Sequence, residues 1–543
     1  MRRVRRTRDR KRHAVTEARE IVIIGSGFAG SLMARVLAAL GYDVVLLERG
    51  THPRFAIGES STPLANLSLE RLARRYDLPD CRELAAHGRW LERRPELRRG
   101  LKRGFSFYRH HPAPSLDAGA LVAERLLVAA SPNDMVADTH WLRADVDHHF
   151  VRMAVNAGVD YRDRTELSQA IIGSRRATVV GSRDGMPFRL SARFVIDASG
   201  PAGFLARQLS LRSALGRTQT RSGVLFSHFT GVRMLHEVIT GLEGGPFPED
   251  WAAVHHLIDE GWMYSLRFDH GVTSAGFVLR QTSAADGPPA APGEVWKALL
   301  ARYPAIGAQF ENARTLFPLA FRPRIQHRLA TSAGRRWVLM PHVYAFVDPL
   351  FSTGIAWSLR AVERIATMFE RVRGRRGVPR EESLGKYDEL LSAEADQIDR
   401  VVAGAYEAMA HFDLFAAHAM IYFAAVSFSE VRQRIETRDA DDVAWGGFLG
   451  VGDPALEALP QASLLRLRRI TKKRQLTGTI AERRDYTRWV REAITARNIG
   501  GFGDPSRRHL YPVDLDELIE RHDLLGLTRD EVTVRLPLLR GTQ

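Results

Sequence analysis

Apolar residues near the start of the chain follow the spacing of a strand, a helix and a second strand. Residues 20–24 (Glu-Ile-Val-Ile-Ile) form a largely apolar run that leads into a glycine-rich turn. Apolar positions then recur at helical spacing over residues 31–40, where Gly41 ends the helix, and residues 43–48 form a second apolar run. The pattern predicts the first βαβ unit of an α/β domain.

Two later segments also join an apolar strand to a turn of small residues. Residues 192–200 read as a strand that ends in Asp-Ala-Ser-Gly. Residues 345–355 lead through Asp-Pro-Leu-Phe-Ser-Thr-Gly into a helix that we predict from about Ala356. After about Ser358 the apolar residues recur every three or four positions, so the rest of the chain is predicted to be mainly helical.

The glycine turn at residues 25–30 (Gly-Ser-Gly-Phe-Ala-Gly) has the spacing of a dinucleotide-binding fingerprint. Gly25 permits a tight turn, Gly27 lets the backbone approach a pyrophosphate, and Gly30 lets the helix pack on the strand. The helix N-terminus offers free N–H groups to that anion. Glu48, 23 positions after Gly25, can accept hydrogen bonds from ribose hydroxyls. Further cofactor contacts are predicted at Phe28, Ala29 and Arg49.

The distribution of these segments favours FAD over NAD. Asp197 and Gly200 lie in the second segment, where small residues again let the backbone approach a ligand, and Asp348 in the third can reach a ribityl hydroxyl. Segments spread over about 330 residues suit an extended, embedded FAD. The amides at the predicted helix start can face an electron-rich isoalloxazine edge or an anion; they belong to Ser352, Thr353, Gly354 and Ile355.

Composition and charge narrow the class of protein. Hydrophobic residues make up 45% and charged residues 26% of the 543 positions, which is typical of a globular protein. The single cysteine, Cys81, excludes a disulfide framework and a Cys-rich metal site. Of the net charge of +15, residues 1–12 carry +7 and residues 461–500 carry +8. The second stretch either docks an acidic carrier protein or reductase or is a solvated helix face.

No run of 18 apolar residues is present, so no membrane span is expected. The most apolar run, residues 414–426, contains His418 and predicts a buried core helix. The basic N-terminus is not followed by an apolar stretch, which together with the single cysteine favours a cytoplasmic protein.

Five segments together resemble the flavin-dependent halogenase (tryptophan-halogenase-like) branch of the FAD-dependent monooxygenase superfamily. They follow the family's order over roughly the first 370 residues and comprise 25–30, 58–63 (Gly-Glu-Ser-Ser-Thr-Pro), 101–107 (Leu-Lys-Arg-Gly-Phe-Ser-Phe), 195–200 and 347–355. The resemblance implies an α/β fold in which an FAD-binding Rossmann-like (glutathione-reductase-type) domain carries an interleaved mixed β-sheet substrate domain and a mainly helical C-terminal region. We therefore expect a basic disordered tail at 1–18, the core at 19–370 and the helical region at 371–543.

The resemblance also implies a reaction. Reduced FAD from a separate flavin reductase reacts with O2, chloride or bromide is oxidised to hypohalous acid, and this acid moves through an internal tunnel to a lysine beside the substrate. The lysine either positions the acid or carries the halogen as a haloamine. By position it falls on Lys102, and the halide site falls on Thr353 and Gly354.

Lys102 also stands out by residue type. The chain has six lysines against 72 arginines, and a desolvated lysine can lose its proton and act as an amine nucleophile, whereas arginine cannot. The competing interpretation is one more solvated charge beside Arg98, Arg99 and Arg103.

Three other positions have both a cofactor-related and a structural interpretation. Glu59 and Ser60 lie in the segment that, by resemblance, lines the boundary between flavin and substrate, and Glu59 either supports the flavin or shapes the turn. Arg143 either pairs with phosphate or ribityl oxygens or forms a surface salt bridge with Asp145 or Asp147.

Two departures from the family pattern concern the reaction and the substrate. The family's Trp-x-Trp-x-Ile-Pro motif corresponds to residues 261–267, where Trp262 is kept, Tyr264 replaces the second Trp, and Leu266 and Arg267 replace Ile-Pro. This change leaves open a monooxygenase that hydroxylates or epoxidises. Phe351 stands where free-tryptophan halogenases have a glutamate, which favours a phenolic or other electron-rich aromatic substrate, free or carrier-bound.

Other interpretations of the sequence are weaker. A geranylgeranyl-reductase-like flavoprotein and a polyanion-binding protein with a vestigial flavin fold are the remaining alternatives, but no nucleic-acid partner is expected. Adjacent histidine pairs make poor chelating sites because neighbouring side chains point to different faces, so no metal site is expected. A monomer and a homodimer fit the sequence equally well.

Overall fold

The computed structural model describes residues 16–113, 115–281, 291–375, 377–435, 444–471 and 479–540. Most of the predicted basic tail and residues 472–478 of the basic stretch therefore lie outside the described residues. The first strand begins at Thr16, so the last three residues of the segment predicted as tail are part of a sheet.

The strands of the described residues are β1 Thr16–Ile24, β2 Val44–Leu47, β3 Arg99–Lys102, β4 Gly104–Arg109, β5 Arg125–Ala129, β6 Asp138–Trp141, β7 Asp160–Arg162, β8 Thr165–Ile172, β9 Ala177–Arg183, β10 Met186–Asp197, β11 Ser222–Thr230, β12 Ala253–Ile258, β13 Gly261–Arg267, β14 Val272–Arg280, β15 Arg314–Thr315, β16 Ala320–Arg322, β17 His327–Arg328, β18 Ala333–Gly334, β19 Trp337–Leu339, β20 Ala345–Phe346 and β21 Leu510–Tyr511.

The α-helices of the same residues are α1 Phe28–Ala39, α2 Pro63–Tyr76, α3 Pro79–Glu83, α4 His87–Arg93, α5 Ala118–Ala123, α6 Arg143–Asn156, α7 Phe204–Gln208, α8 Pro292–Arg302, α9 Pro304–Phe310, α10 Pro341–Tyr344, α11 Thr353–Glu370, α12 Glu381–Ala408, α13 Phe412–Ile435, α14 Leu459–Thr471, α15 Ile480–Ile494, α16 Leu515–Glu520 and α17 Arg529–Arg540.

The predicted βαβ unit forms the centre of the first sheet. Strands β19, β10, β1, β2 and β7 are parallel neighbours in that order, and the antiparallel β8 and β9 extend one edge through β10. All four residues of β2 and the last four of β1 are buried, as expected for a sheet covered on both faces. Helix α1 begins at Phe28, three residues earlier than its apolar pattern predicts, because the glycine turn itself starts the helix.

A second, mainly antiparallel sheet lies beside the first. Its order is β15-β11-β14-β13-β12-β4-β5-β21, with β16 also paired to β11. The segment that departs from the family motif forms β13, and β14 follows it. Buried side chains of both sheets belong to one hydrophobic core, so the interleaved arrangement expected from the sequence is confirmed.

A short two-stranded ladder connects the two sheets. Strand β3 leads directly into β4 of the second sheet, and β6 leads into α6, which packs on α1 of the first. The antiparallel register of β3 and β6 places Lys102 directly opposite Asp138. Two residues 36 positions apart thereby become cross-strand neighbours.

Most of the C-terminal region is helical, as predicted, and it packs into the core. The apolar run at residues 414–426 lies within α13, and the prediction of a buried core helix is confirmed. Helix α13 is long and apolar enough to cross a membrane, but 78% of its most apolar stretch is buried inside the protein. Strand β21 pairs with β5, so the region also completes the edge of the second sheet.

A fully buried ion pair joins α11 to α12. Arg364 donates to both carboxylate oxygens of Glu394, at 2.8 and 2.6 Å. The same carboxylate accepts hydrogen bonds from the Trp357 indole and from the Phe448 backbone N–H, both at 2.8 Å. A buried carboxylate with four donors is stabilised by them, and its loss leaves the guanidinium group without a counter-charge.

We expect Glu394→Ala to destabilise the fold by about 3–5 kcal/mol because it leaves Arg364 buried and unpaired. Thermal unfolding followed by circular dichroism measures the change as a lower midpoint. Glu389→Ala on the exposed face of the same helix is the control and should leave the midpoint unchanged. Equal midpoints for the two variants would show that the pair does not hold α11 to α12.

Candidate active site

A cavity of about 750 Å³ lies at the carboxyl ends of the parallel strands, where ligands bind in open α/β sheets. The predicted cofactor contacts that line it are Gly25, Gly27, Phe28, Ala29, Gly30, Glu48, Arg49, Arg143 and Gly200. The structure thus brings together two of the three predicted segments in one cavity. From the third, only the helix it leads into contributes a lining residue, Ser358.

Glycine is required at two positions of the turn. Gly25 has φ of +97°, and a Cβ atom there would lie 2.5 Å from the Ala198 carbonyl oxygen. A Cβ atom on Gly30 would lie 2.1 Å from the carbonyl oxygen of Gly25. Both distances are shorter than any van der Waals contact, so a side chain would push the first helix away from the sheet.

The start of α1 suits a pyrophosphate. Gly27 is the N-cap residue and has no side chain to cap the helix, and the first N–H group, that of Phe28, donates to Oδ1 of Asp147 at 3.1 Å. A Cβ atom on Gly27 would lie 3.7 Å from an Arg143 nitrogen and 3.8 Å from an Arg54 nitrogen. Two guanidinium groups and the first turn of α1 therefore lie near one point of the cavity, together with the Asp147 carboxylate that pairs with Arg143. The two guanidinium groups and the helix N-terminus fit the diphosphate of FAD.

Glu48 lies at the end of β2 and is a hydrogen-bond acceptor. Its Oε2 accepts from the backbone N–H and hydroxyl of Ser26 at 3.0 and 2.9 Å, and its Oε1 accepts from the Gly50 N–H at 2.9 Å. Burial acts to raise the pKa of Glu48, but these N–H donors and the nearby Arg54 outweigh burial and lower it. The carboxylate is ionised at neutral pH and can accept hydrogen bonds from ribose hydroxyls.

The structure gives Arg143 a place in both of its predicted interpretations. Its guanidinium forms a two-pronged ion pair with Asp147 at 2.8 and 2.9 Å, and the pair is buried rather than on the surface. Arg143 also donates to the carbonyl oxygens of Ile57 and Gly58 and packs over the ring of Phe28. Contact with the cofactor's phosphate or ribityl oxygens stays a prediction.

Asp197 and Asp348 do not line the cavity, and internal donors occupy their oxygens. Asp197 accepts hydrogen bonds from the Ser199 and Leu205 N–H groups. Asp348 accepts from the hydroxyls of Ser222 and Tyr406 and from a backbone N–H, and burial raises its pKa to about 6. Both carboxylates hold turns together, and a contact between Asp348 and a ribityl hydroxyl stays a prediction.

The third segment forms the start of α11. Ser352 has φ of +52° and is the N-cap residue, so the helix starts three residues before the predicted Ala356. Thr353, Gly354 and Ile355 therefore form its first turn. A Cβ atom on Gly354 would lie 2.9 Å from the imidazole of His342, which lines the cavity. The helix thus begins close to the cavity, although Ser352–Ile355 themselves do not line it.

Lys102 is fully buried, which excludes its interpretation as a solvated surface charge. Its ammonium donates a hydrogen bond to the carbonyl oxygen of Ser61 and lies 4.1 Å from the centre of the Phe105 ring. Burial lowers the pKa of Lys102, and the charge of Asp138 opposes this shift. Lysine side chains are almost never fully buried unless they are paired, so the complete burial of Lys102 is unusual.

An aromatic cluster packs around Phe105, the ring beside this lysine. Phe105 contacts Tyr422 and Phe423 of α13, with ring centres 6.1 and 5.5 Å apart. Phe351, the residue at the tryptophan-halogenase glutamate position, stacks on Tyr422 at 4.6 Å. We call the group of packed side chains formed by Lys102, Phe105, Phe351 and Tyr422 the aromatic chamber.

Glu59 lies just before α2 and is 2% exposed. Its Oε1 is 2.8 Å from Nε2 of His228, whereas its Oε2 has no hydrogen-bond partner. The hydroxyl of Tyr264 is also buried without a partner, and the charge of Glu59 contributes to raising the pKa of Tyr264, after burial itself. Ser60 forms an isolated bridge with His140, which fixes the segment against β6.

The altered aromatic motif on β13 is part of the core. The Trp262 indole donates to the Tyr406 hydroxyl at 3.1 Å, which in turn donates to Asp348. Tyr264 and Leu266 lie in the same hydrophobic cluster as Trp262. Arg267 is not part of that cluster, and its guanidinium forms an ion pair with Asp250 at 3.1 Å.

Sequence reasoning missed the partners of these side chains. Asp138, His228 and Tyr422 follow no local motif, and only the strand register and helix packing bring them to the site. No group of three or more potential metal ligands occurs within the described ranges. His110 and His256, from two different sequence pairs, share a hydrogen bond at 2.8 Å.

The first sheet, its glycine turn and the cavity above them define a dinucleotide-binding Rossmann-type domain with a second sheet beside it. The family model for an NAD(P)-binding Rossmann-like domain matches residues 23–76, which run from the end of β1 through the turn, α1 and β2 to the end of α2.

Comparison with known proteins then narrows the class. The chain is 29% identical over 418 residues to tetracycline 7-halogenase of Kitasatospora aureofaciens, covering 75% of this chain and 73% of that protein. It is 26% identical over 420 residues to monodechloroaminopyrrolnitrin halogenase PrnC of Pseudomonas fluorescens, covering 76% and 72%. The resemblance to flavin-dependent halogenases that the motifs indicate is confirmed by these relatives.

Solved structures agree with the fold. A variant of the halogenase PltM in complex with FAD superposes with a TM-score of 0.83 at 25% identity, covering 91% of this chain and all of that one. PltM in complex with phloroglucinol and FAD gives a TM-score of 0.82 at 24% identity, covering 91% and 99%. The predicted fold class is confirmed.

We expect Gly30→Ala to weaken FAD binding at least about tenfold, because the added methyl collides with the Gly25 carbonyl and displaces the start of α1. Fluorescence titration of the purified apoprotein with FAD measures the affinity. Gly385→Ala is the control, since a Cβ atom at that position of α12 meets nothing within 4 Å. Equal FAD affinities of the two variants would contradict the assignment of the glycine turn.

Proposed function

We propose that the chain is a flavin-dependent halogenase that uses reduced FAD, O2 and chloride or bromide to halogenate a phenolic or other electron-rich aromatic compound. The observation that carries this proposal is the buried Lys102 in the aromatic chamber. A lysine that has lost its water shell is suited to chemistry on a small polar reagent and not to surface pairing. The relatives named halogenases support the same conclusion.

The cavity of about 750 Å³ at the carboxyl ends of the parallel strands would hold the cofactor. The N-terminus of α1 with Arg54 and Arg143 would bind the diphosphate, and Glu48 would accept hydrogen bonds from a ribose. When bound, reduced FAD supplies the electrons that let O2 oxidise a halide to hypohalous acid. The N–H groups at the start of α11, at Thr353 and Gly354, would bind the halide ion, because a helix N-terminus attracts anions.

Lys102 would then act on the hypohalous acid. Its nitrogen points away from bulk water, with one hydrogen bond made to Ser61 and the ring of Phe105 beside it. The lysine either donates a hydrogen bond to the acid or carries the halogen on its nitrogen. The surrounding rings exclude water, so the reagent reaches the aromatic substrate before it can escape.

The chamber favours a neutral aromatic substrate. Phe351 occupies the glutamate position of the free-tryptophan enzymes and stacks on Tyr422, so this wall of the chamber is apolar. PltM, which shares the fold, is known in complex with phloroglucinol, a phenol. We therefore propose a phenolic substrate class, with reduced FAD delivered by a separate flavin reductase. The enzyme acts as a monomer or a homodimer.

A second candidate is a flavin monooxygenase that hydroxylates the same class of substrate. The observation in its favour is the altered β13 motif, in which Tyr264, Leu266 and Arg267 replace family residues. Incubation with a flavin reductase, NADH, FAD and bromide, followed by mass spectrometry over a panel of phenols and indoles, separates the two. Brominated products support the halogenase, and hydroxylated products without bromine support the monooxygenase.

We expect Lys102→Met and Lys102→Arg each to lower bromination at least about a hundredfold while FAD affinity is retained, since Lys102 is outside the FAD cavity. Arginine keeps a charge but not the compact ammonium. Lys297→Ala on the exposed side of α8 is the control and should match the parent enzyme. If Lys102→Met still brominates at the parent rate, the assignment of Lys102 is wrong.

A further inference from the structure

The surroundings of Lys102 are those of a cation. Its nitrogen donates to a carbonyl oxygen, lies over the electron-rich face of Phe105, and shares a cross-strand position with the carboxylate of Asp138. A carbonyl oxygen, a ring face and a carboxylate each attract positive charge. Neither the carbonyl oxygen nor the ring face donates a hydrogen bond, so an amine lone pair would find no partner in them.

Asp138 is the buried carboxyl group opposite this lysine on the neighbouring strand. It is 1% exposed; its Oδ1 accepts from the Asn66 amide at 2.8 Å, and its Oδ2 has no hydrogen-bond partner. Burial raises the pKa of Asp138, and the charge of Lys102 opposes that rise. Asp138 and Asn66 also line a small cavity of about 40 Å³, which is large enough for a water molecule beside the carboxylate.

The other titratable groups around the pair do not supply the counter-charge. His140 and His255 face Lys102 from β6 and β12, and burial, with a smaller contribution from Lys102, lowers the pKa of each to about 3, so both are neutral. Glu430 and Arg434 face Asp138 from α13 and pair with each other at 2.6 Å. Among the residues that the structure describes, the carboxylate that balances Lys102 is Asp138.

We propose that Asp138 is a positioning residue that keeps Lys102 protonated in the aromatic chamber, so that Lys102 acts as an ammonium donor to hypohalous acid and not as a halogen-carrying amine. This inference rests on the proposed function and deepens it. The geometry decides between the two lysine roles because a halogen-carrying nitrogen must first lose the proton that Asp138, Ser61 and Phe105 all stabilise.

The reaction balances without a further reagent. The Lys102 ammonium donates a hydrogen bond to the oxygen of hypohalous acid, and the bond between oxygen and halogen breaks as the aromatic carbon takes the halogen. The departing hydroxide takes a proton from Lys102 and leaves as water. The ring then loses its proton to the Lys102 amine, which restores the ammonium. The net change is that one aromatic C–H and one hypohalous acid become one C–halogen bond and one water.

The pKa of Lys102 can be measured directly because the chain has only six lysines. In protein labelled with ¹³C at the lysine ε carbon, the resonance lost in Lys102→Met is that of Lys102. We expect Asp138→Asn to move its titration midpoint down by at least about one pH unit, because the carboxylate that stabilises the ammonium is gone. An unchanged midpoint overturns the proposal. Asp138→Ser provides the same test if the Asn variant does not fold.

The pH profile of bromination gives the second readout. If the ammonium is the active form, activity falls as pH rises through the pKa of Lys102, so Asp138→Asn should move the alkaline limb of kcat/KM to lower pH by the same amount as the midpoint. Activity should recover on acidification. An active amine would instead make the Asn variant as active or more active at neutral pH, and that result also overturns the proposal.

Two variants separate this role from a structural one. Asp399→Asn replaces another buried aspartate, which accepts two backbone N–H groups far from Lys102 in the sequence, and should leave both readouts unchanged. Asp138→Glu keeps the carboxylate and should keep the midpoint near that of the parent. The labelled titration needs no turnover. If Asp138→Asn shifts the Lys102 midpoint but the parent protein never halogenates, the proposed function is refuted, whereas the role of Asp138 in keeping Lys102 protonated is not.

Discussion

The burial of one ammonium group beside one carboxylate is the constraint on which the centre of this molecule depends. A charged lysine without water is costly unless a counter-charge and hydrogen-bond acceptors are in place. The ladder of β3 and β6 provides both, since it faces Lys102 with Asp138 and holds the Ser60–Ser61 segment against β6. Because the same ladder leads into the second sheet on one side and into α6 on the other, these two residues lie where the two layers join.

The helical region encloses that pair and thereby completes the site. Helix α13 supplies Tyr422 and Phe423 to the wall around Lys102, and it is held in place by packing that leaves most of its surface buried. Helix α12 is fastened to α11 by Arg364 and Glu394. A region that follows the Rossmann core in sequence is thus part of the same core, and the chamber is not complete without it.

Sequence motifs predicted one half of the site well and the other half poorly. The glycine turn, Glu48 and Arg143 line one cavity as expected, because a fingerprint encodes a local backbone path whose ligand lies within a few residues. Lys102 was found by its residue type and motif, but its partner Asp138 was not, because a cross-strand pair leaves no signal along the chain. Asp348 was expected to face the cofactor, yet its oxygens accept hydrogen bonds from Ser222 and Tyr406, residues 126 and 58 positions away.

The sequence by itself determined the class of fold, the dinucleotide turn, the helical character of the C-terminal region and the resemblance to halogenases, because each depends on local spacing and on short motifs. Only the tertiary structure decided that Lys102 is buried and not a surface charge, that Arg143 pairs with Asp147, and that Phe351 stacks on Tyr422. The physical reason is that burial, charge and ring stacking are properties of surroundings, and strands and helices distant in sequence supply those surroundings.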